Sequence, residues 1–227
     1  MYDLSDLRPS VRRQINLAGI PQRFIGLELD DLKPYDGNAQ AAVETWISLV
    51  ISGKIIKAQG SVKCGKGLLL VGKPGHGKTT LASVVLQEIL RKANPEVWGP
   101  PETSVKNPAL FVDYPKLLRI QQRSWKEEDG SDSYLMEQIY GDVPGSDNIS
   151  LLVLDDLGKE HRTASGWAES TFDAVLRSRY NAGLPTIVTT NVPLKNWGDV
   201  YGEAMESFAH EAFVPINIIS TEGDRRK

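Results

Sequence analysis

Eight consecutive residues, Gly72-Lys73-Pro74-Gly75-His76-Gly77-Lys78-Thr79, fit GxxxxGK[ST] at every fixed position. A loop of this kind demands a particular setting. Its glycines let the backbone curl until N–H groups converge on an anion, and the helix that follows adds the positive end of its dipole. The flanks supply that setting. Leu68-Leu69-Leu70-Val71 is a continuous apolar run, as expected of a strand buried on both faces. Leu81, Val84, Val85 and Leu86 stripe a helix running from Thr79 to near Arg91. The motif therefore predicts a nucleotide site in which Gly72, Pro74, Gly75, His76, Gly77, Lys78, Thr79 and Thr80 surround the phosphates. Lys78 reaches the β- and γ-phosphates and the Thr79 hydroxyl ligates Mg²⁺. His76 holds a variable position of the motif and has no role of its own.

Further strands are expected at Ala109–Asp113, Leu151–Leu154, Thr186–Thr190 and Val214–Ile219, with a helix from Trp167 to Ala182 burying Phe172, Val175, Leu176 and Tyr180. Strands alternating with helices predict an α/β fold with a parallel sheet and ligands at the strands' carboxyl ends. Ahead of it, Val43, Trp46, Ile47, Val50 and Ile51 mark an amphipathic helix ending near Gly53, and Pro9 opens a short helix ended by Gly19. Residues 1–25 are read as an appendage and 26–227 as the main domain. Two stretches break the rhythm: 94–108, with four prolines, and 126–148, acidic and rich in Gly and Ser, are expected to be irregular insertions, the second around a helical piece at Leu135–Tyr140.

The strand at Leu151 ends in Asp155-Asp156, where phosphates would lie. Asp155 suits Mg²⁺ through water, and Asp156 suits polarising an attacking water. Asn191, closing the next strand after Thr189-Thr190, can orient water beside the γ-phosphate. Lys78, Asp156 and Asn191 are thus the candidate catalytic residues, and Thr79 and Asp155 the candidate metal ligands.

Composition closes off other classes. With 41% hydrophobic and 24% charged residues among 227, wholesale disorder is excluded. No apolar run approaches the roughly 18 residues of a spanning helix. The N-terminus lacks a basic stretch followed by an apolar core, and one cysteine makes neither a disulfide nor a multi-cysteine zinc site, so a cytoplasmic setting is expected. A net charge of −3 argues against nucleic-acid binding through bulk charge but leaves room for a local basic groove.

Together, Gly72–Thr79, the Leu151–Gly158 run ending Asp-Asp-Leu-Gly, Arg179-Tyr180, Leu184–Asn191 and the lead-in Gly19-Ile20-Pro21-Gln22-Arg23-Phe24 resemble the AAA+ ATPases, within them the DnaC/DnaI-type helicase loaders and the IstB transposase helpers. The resemblance spans roughly residues 19–226. It implies a P-loop domain of AAA+ type, five parallel strands flanked by helices, with the fifth, first, fourth, third and second strands in that spatial order. It also implies binding and slow hydrolysis of ATP with Mg²⁺, a DnaB-like replicative helicase ring and single-stranded DNA as partners, and ATP-dependent self-assembly. Asn191 matches sensor 1, and Arg225 is the counterpart of the sensor 2 arginine.

Two departures stand out. Loaders of this type carry a substantial N-terminal helicase-binding domain, and residues 1–18 alone precede the module in this sequence. A helicase must then be gripped by that segment, by an insertion, or by the module's own surface. The arginine finger, implied within the helix after sensor 1, is also missing: Phe208 stands in its place, and no arginine occurs between Arg179 and Arg225. Arg177 and Arg179 point to different faces of one helix; either can be structural, and Arg179 is the better candidate for contacting a neighbour's nucleotide. Lys159, His161 and Arg162 can face DNA or form a solvated turn; Arg119, Arg123 and Trp125 with Gln121 and Gln122 can stack on and contact DNA or form an ordinary amphipathic helix. An IstB-like helper on double-stranded DNA is the alternative function. A P-loop enzyme acting on a small acceptor is disfavoured, because no second substrate constellation is visible.

Overall fold

The computed structural model describes residues 1–32, 36–55, 64–98, 107–126, 130–144, 147–158 and 166–219. Chain order runs α1 (Pro9–Leu17), α2 (Gly37–Ile51), β1 (Gly67–Val71), α3 (Lys78–Lys92), β2 (Ala109–Asp113), α4 (Tyr114–Ser124), α5 (Ser131–Tyr140), β3 (Leu151–Leu157), α6 (Trp167–Asn181), β4 (Thr186–Thr190), α7 (Trp197–Tyr201), α8 (Glu203–Ala212) and β5 (Phe213–Asn217). The five strands form one parallel sheet in the order β2-β3-β4-β1-β5. The implied spatial order is the observed one.

Alternation along the strands builds two cores. Leu68, Leu70, Leu151, Val153, Ile187 and Ile216 face α1, α2 and α3. Leu69, Val71, Leu152, Leu154, Val188 and Phe213 face α4 to α8. All five residues of β1 are buried, which is why its sequence reads as unbroken apolar. β5 is an edge strand, and it tolerates Pro215 because only one side of an edge strand must donate to the ladder. No described helix is long and apolar enough to cross a membrane.

Residues 1–25 pack into the first core. Val11, Ile15, Ala18 and Ile20 are buried there beside Leu86 and Ile89, and Ala18 O accepts a hydrogen bond from Phe111 N at 2.6 Å. The stretch 126–148 holds a ten-residue helix, longer than the expected piece at 135–140. Met136 and Ile139 of α5 are buried in the second core, and Asp132 pairs with Arg123 at 2.6 Å. In 94–108 a 3₁₀ turn at Pro95–Val97 is described.

Candidate functional site

β1 ends directly in the glycine-rich loop, and α3 begins at Lys78. Gly77 has φ +87°, a left-handed turn that delivers the chain into the helix without the penalty a side chain would bring. Gly72 is required for a different reason. A Cβ there would lie 2.5 Å from Ile218 O, because the chain leaving β5 closes on the loop through Ile218 N to Val71 O at 2.7 Å. His76 Nδ1 sits 3.2 Å from the same Ile218 O, to which its N–H tautomer donates. The imidazole thus ties the loop to the edge strand, a role that a motif position open to any residue does not announce.

Lys78 Nζ donates to Gly72 O at 2.7 Å, Lys73 O at 3.0 Å and Asn191 Oδ1 at 2.7 Å. Its ammonium is therefore drawn back over the loop, where phosphate oxygens can compete for the same N–H groups. Asn191 follows β4, the neighbour of β1, so sheet order alone carries it to the lysine.

The acidic pair is presented by a bulge. Leu154 pairs with Val188 and Leu157 with Thr190, so Asp155 and Asp156 together oppose Thr189. Asp156 takes φ +60°, a left-handed conformation that Asp adopts more readily than most residues. Thr189 fills the bulge: its hydroxyl accepts from Asp156 N at 3.0 Å and donates to Asp155 Oδ1 at 2.6 Å. The Thr79 hydroxyl donates to that same oxygen at 3.0 Å. A strict alternation would send the two aspartates to opposite faces of the sheet; the bulge re-aims Asp156 toward the loop. Thr189 is the site residue that sequence reasoning passed over as part of a turn-ending run.

A cavity of about 340 Å³ lies over these groups, lined by Arg23, Phe24, Pro74, Gly75, Gly77, Lys78, Thr79, Thr80, Asp156 and Asn191. Asp155, 5% exposed, lies just beneath it against Thr79. A hydroxyl oxygen beside a carboxylate is the hard-oxygen donor set that Mg²⁺ takes, so Thr79 and Asp155 fit that ion. Arg23 and Phe24 bring a wall that the loop motif does not encode. Arg225, and Lys159, His161 and Arg162, lie outside the described residues.

Of the two roles open to Arg179, the structure shows the structural one. It is fully buried, and its guanidinium donates to Thr186 Oγ1, to the carbonyls of Ile139 and Ile149 at 2.7 and 2.8 Å, and to those of Ser150 and Pro185. Burial lowers its pKa to about 9, which leaves it charged at neutral pH. A five-donor fork matches the carbonyls where α5, β3, α6 and β4 converge, so it is a structural tie and reaches no neighbour. Arg177 pairs with Asp173 at 2.7 Å, and its guanidinium lies 4.4 Å over the Phe208 ring. Phe208 also meets Tyr180 edge-on at 5.3 Å. Arg123 is held by Asp132, Arg119 approaches Asp113 at 4.0 Å, and Trp125 packs edge-on against Trp167 at 5.5 Å.

No protein-family model matches the chain, and no curated protein matches its sequence. Solved structures do match its fold. The DnaC helicase loader aligns over 88% of this chain and 100% of its own, with TM-score 0.61 and 24% identity. DnaI aligns over 94% and 100%, with TM-score 0.62 and 22% identity. The replication initiator DnaA, bound to AMPPCP and single-stranded DNA, aligns over 91% of this chain and 53% of its own, with TM-score 0.58 and 12% identity. At such identities the likeness defines a fold. It is an α/β fold of five parallel strands flanked by helices, in the form seen in the DnaC and DnaI structures.

Proposed function

We propose that the chain binds ATP with Mg²⁺ at Gly72–Thr80, hydrolyses it slowly, and acts as a loader that places a DnaB-like helicase ring on single-stranded DNA. The observation that carries this reading is the convergence of Lys78, the Thr79–Asp155 pair, bulged Asp156 and Asn191 on one cavity at the strands' carboxyl ends, within the fold of DnaC and DnaI.

The loop N–H groups and the Lys78 ammonium bind the β- and γ-phosphates. Thr79 and Asp155 hold Mg²⁺, which when bound neutralises charge on the phosphate oxygens. Asp156 accepts a hydrogen bond from the attacking water and orients it in line with the γ-phosphate, while Asn191 fixes the lysine and the water's other side. Arg225 belongs to the same proposal as a cation closing on the nucleotide.

Work of this kind is done by an ATP-dependent assembly of several copies in the cytoplasm, with DNA as partner. The test is co-purification with a hexameric replicative helicase. Retention that depends on ATP and is lost in Lys78→Ala supports a loader. ATP-dependent filaments on duplex DNA without helicase retention would select the IstB-like alternative instead.

A further inference from the structure

Three consecutive residues at the end of β4 brace three different parts of the site. Asn191 meets Lys78. Thr190 Oγ1 donates to Leu157 O at 2.9 Å and accepts from Val192 N at 3.0 Å, while the Thr190 carbonyl accepts from Gly72 N at 3.2 Å. Thr189 Oγ1 accepts from Asp156 N at 3.0 Å and donates to Asp155 Oδ1 at 2.6 Å. Two neighbouring hydroxyls thus hold the two ends of the β3 bulge, and they hold different things.

Leu152 and Leu154 face α4 to α8, and strict alternation would give the next place on that face to Asp156. The bulge gives it to Leu157, 1% exposed in the same core, and turns Asp156 into the cavity wall. Burial of Leu157 and its bond to Thr190 secure that register. The peptide joining Asp155 to Asp156 lies inside those limits, and its plane decides where the Asp156 carboxylate points. At φ +60° Asp156 is strained, and such a conformation persists only where the surroundings over-determine it. The fully buried Thr189 hydroxyl supplies the constraint. Its one proton goes to Asp155 Oδ1, which leaves its lone pairs for the Asp156 N–H.

We infer that Thr189 is the positioning residue of the acidic pair: its hydroxyl clamps the Asp155–Asp156 peptide so that the Asp156 carboxylate stays aimed at the attacking water. Loss of the hydroxyl slows hydrolysis without releasing the nucleotide. The Thr79 hydroxyl still donates to Asp155 Oδ1, and the loop and Lys78 are untouched. This rests on the reading of Asp156 as the water-orienting group of an ATP site.

Thr189→Val keeps the branched shape and removes the hydroxyl. Single-turnover ATP hydrolysis and calorimetric titration with Mg·ATP, with circular dichroism confirming the fold, are the test. Hydrolysis slows at least about tenfold, and Mg·ATP affinity stays within about threefold of wild type. Thr189→Ser, which keeps the hydroxyl, recovers most of the lost rate. Thr189→Val combined with Asp156→Asn is no slower than Asp156→Asn alone, because the hydroxyl acts through that carboxylate. Thr189→Ala carries the same expectations as the valine variant should the latter not fold. A lowered unfolding midpoint with a wild-type rate would make Thr189 a structural residue and overturn the inference. An affinity loss as large as the rate loss would place the effect on Asp155 instead and overturn it too, as would further slowing in the double variant. A wild type that neither binds nor hydrolyses ATP would instead overturn the nucleotide reading beneath it.

Discussion

The Lys78 ammonium lies 2.7 Å from Asn191 Oδ1, joining the first residue of the P-loop helix to the end of the adjacent strand across 113 positions of sequence. The bond couples the group that would hold the phosphates to the group that would sense them. It also places Asn191 in the cavity wall rather than in an ordinary strand-to-loop turn.

Asn191→Ala is accordingly expected to retain ATP binding within a few-fold and to slow turnover by at least about tenfold, because it removes a water-orienting amide without removing the lysine charge. Steady-state ATPase rates paired with a binding titration check this. A variant with unchanged turnover would make Asn191 an anchor for Lys78 and nothing more.

The two aspartates should separate by function. Asp156→Asn keeps nucleotide and Mg²⁺ affinity and lowers the hydrolysis rate at least about tenfold, since the amide keeps the shape and loses the ability to polarise water. Asp155→Asn weakens Mg²⁺-dependent binding, because Asp155 shares its oxygen with the Thr79 hydroxyl. Native rates in both variants would reduce the pair to a structural bulge.

β1 and β3 were readable in the sequence because both faces of each are buried: Leu68–Val71 and Leu151–Leu154 carry no polar residue to blur the run. The loop was readable because its chemistry fixes four of eight residue types. What escaped depends on distant partners. Gln87 bonds Gly26 and Tyr2, 61 and 85 positions away, so nothing local reveals that residues 1–25 are stitched to α3. Arg179 reads as an ordinary helix arginine until α5 and β3 bring the Ile139 and Ile149 carbonyls to it. The Asp155-Asp156 bulge depends on Thr189 across the sheet, which no pattern within β3 records.

Arg179→Ala should destabilise the fold by about 3–5 kcal/mol, because it strands four buried carbonyls and opens a cavity. Arg179→Lys should recover little, as an ammonium cannot match the fork. Urea unfolding of both variants measures this. A loss below about 1 kcal/mol would mean that the carbonyls find other donors.

Phe208, packed between Arg177 and Tyr180, brings no charge to a neighbour's nucleotide. An arginine in that role is worth about 10³–10⁵ in rate. The protein alone is therefore expected to hydrolyse ATP at a low rate that stays flat as its concentration rises, with or without single-stranded DNA. Phe208→Arg is expected to raise the rate. A steep, cooperative increase in the wild type would show that another cation completes the site.

The nucleotide site turns on Lys78, whose buried ammonium bonds Gly72 O, Lys73 O and Asn191 Oδ1 and would bind phosphate. Titrating Mg·ATP into wild type and into Lys78→Ala, with circular dichroism confirming the fold of both, tests it most directly. Saturable binding by the wild type and none measurable by the folded variant is the predicted result. Equal affinity in the two proteins would contradict the nucleotide site and everything built on it.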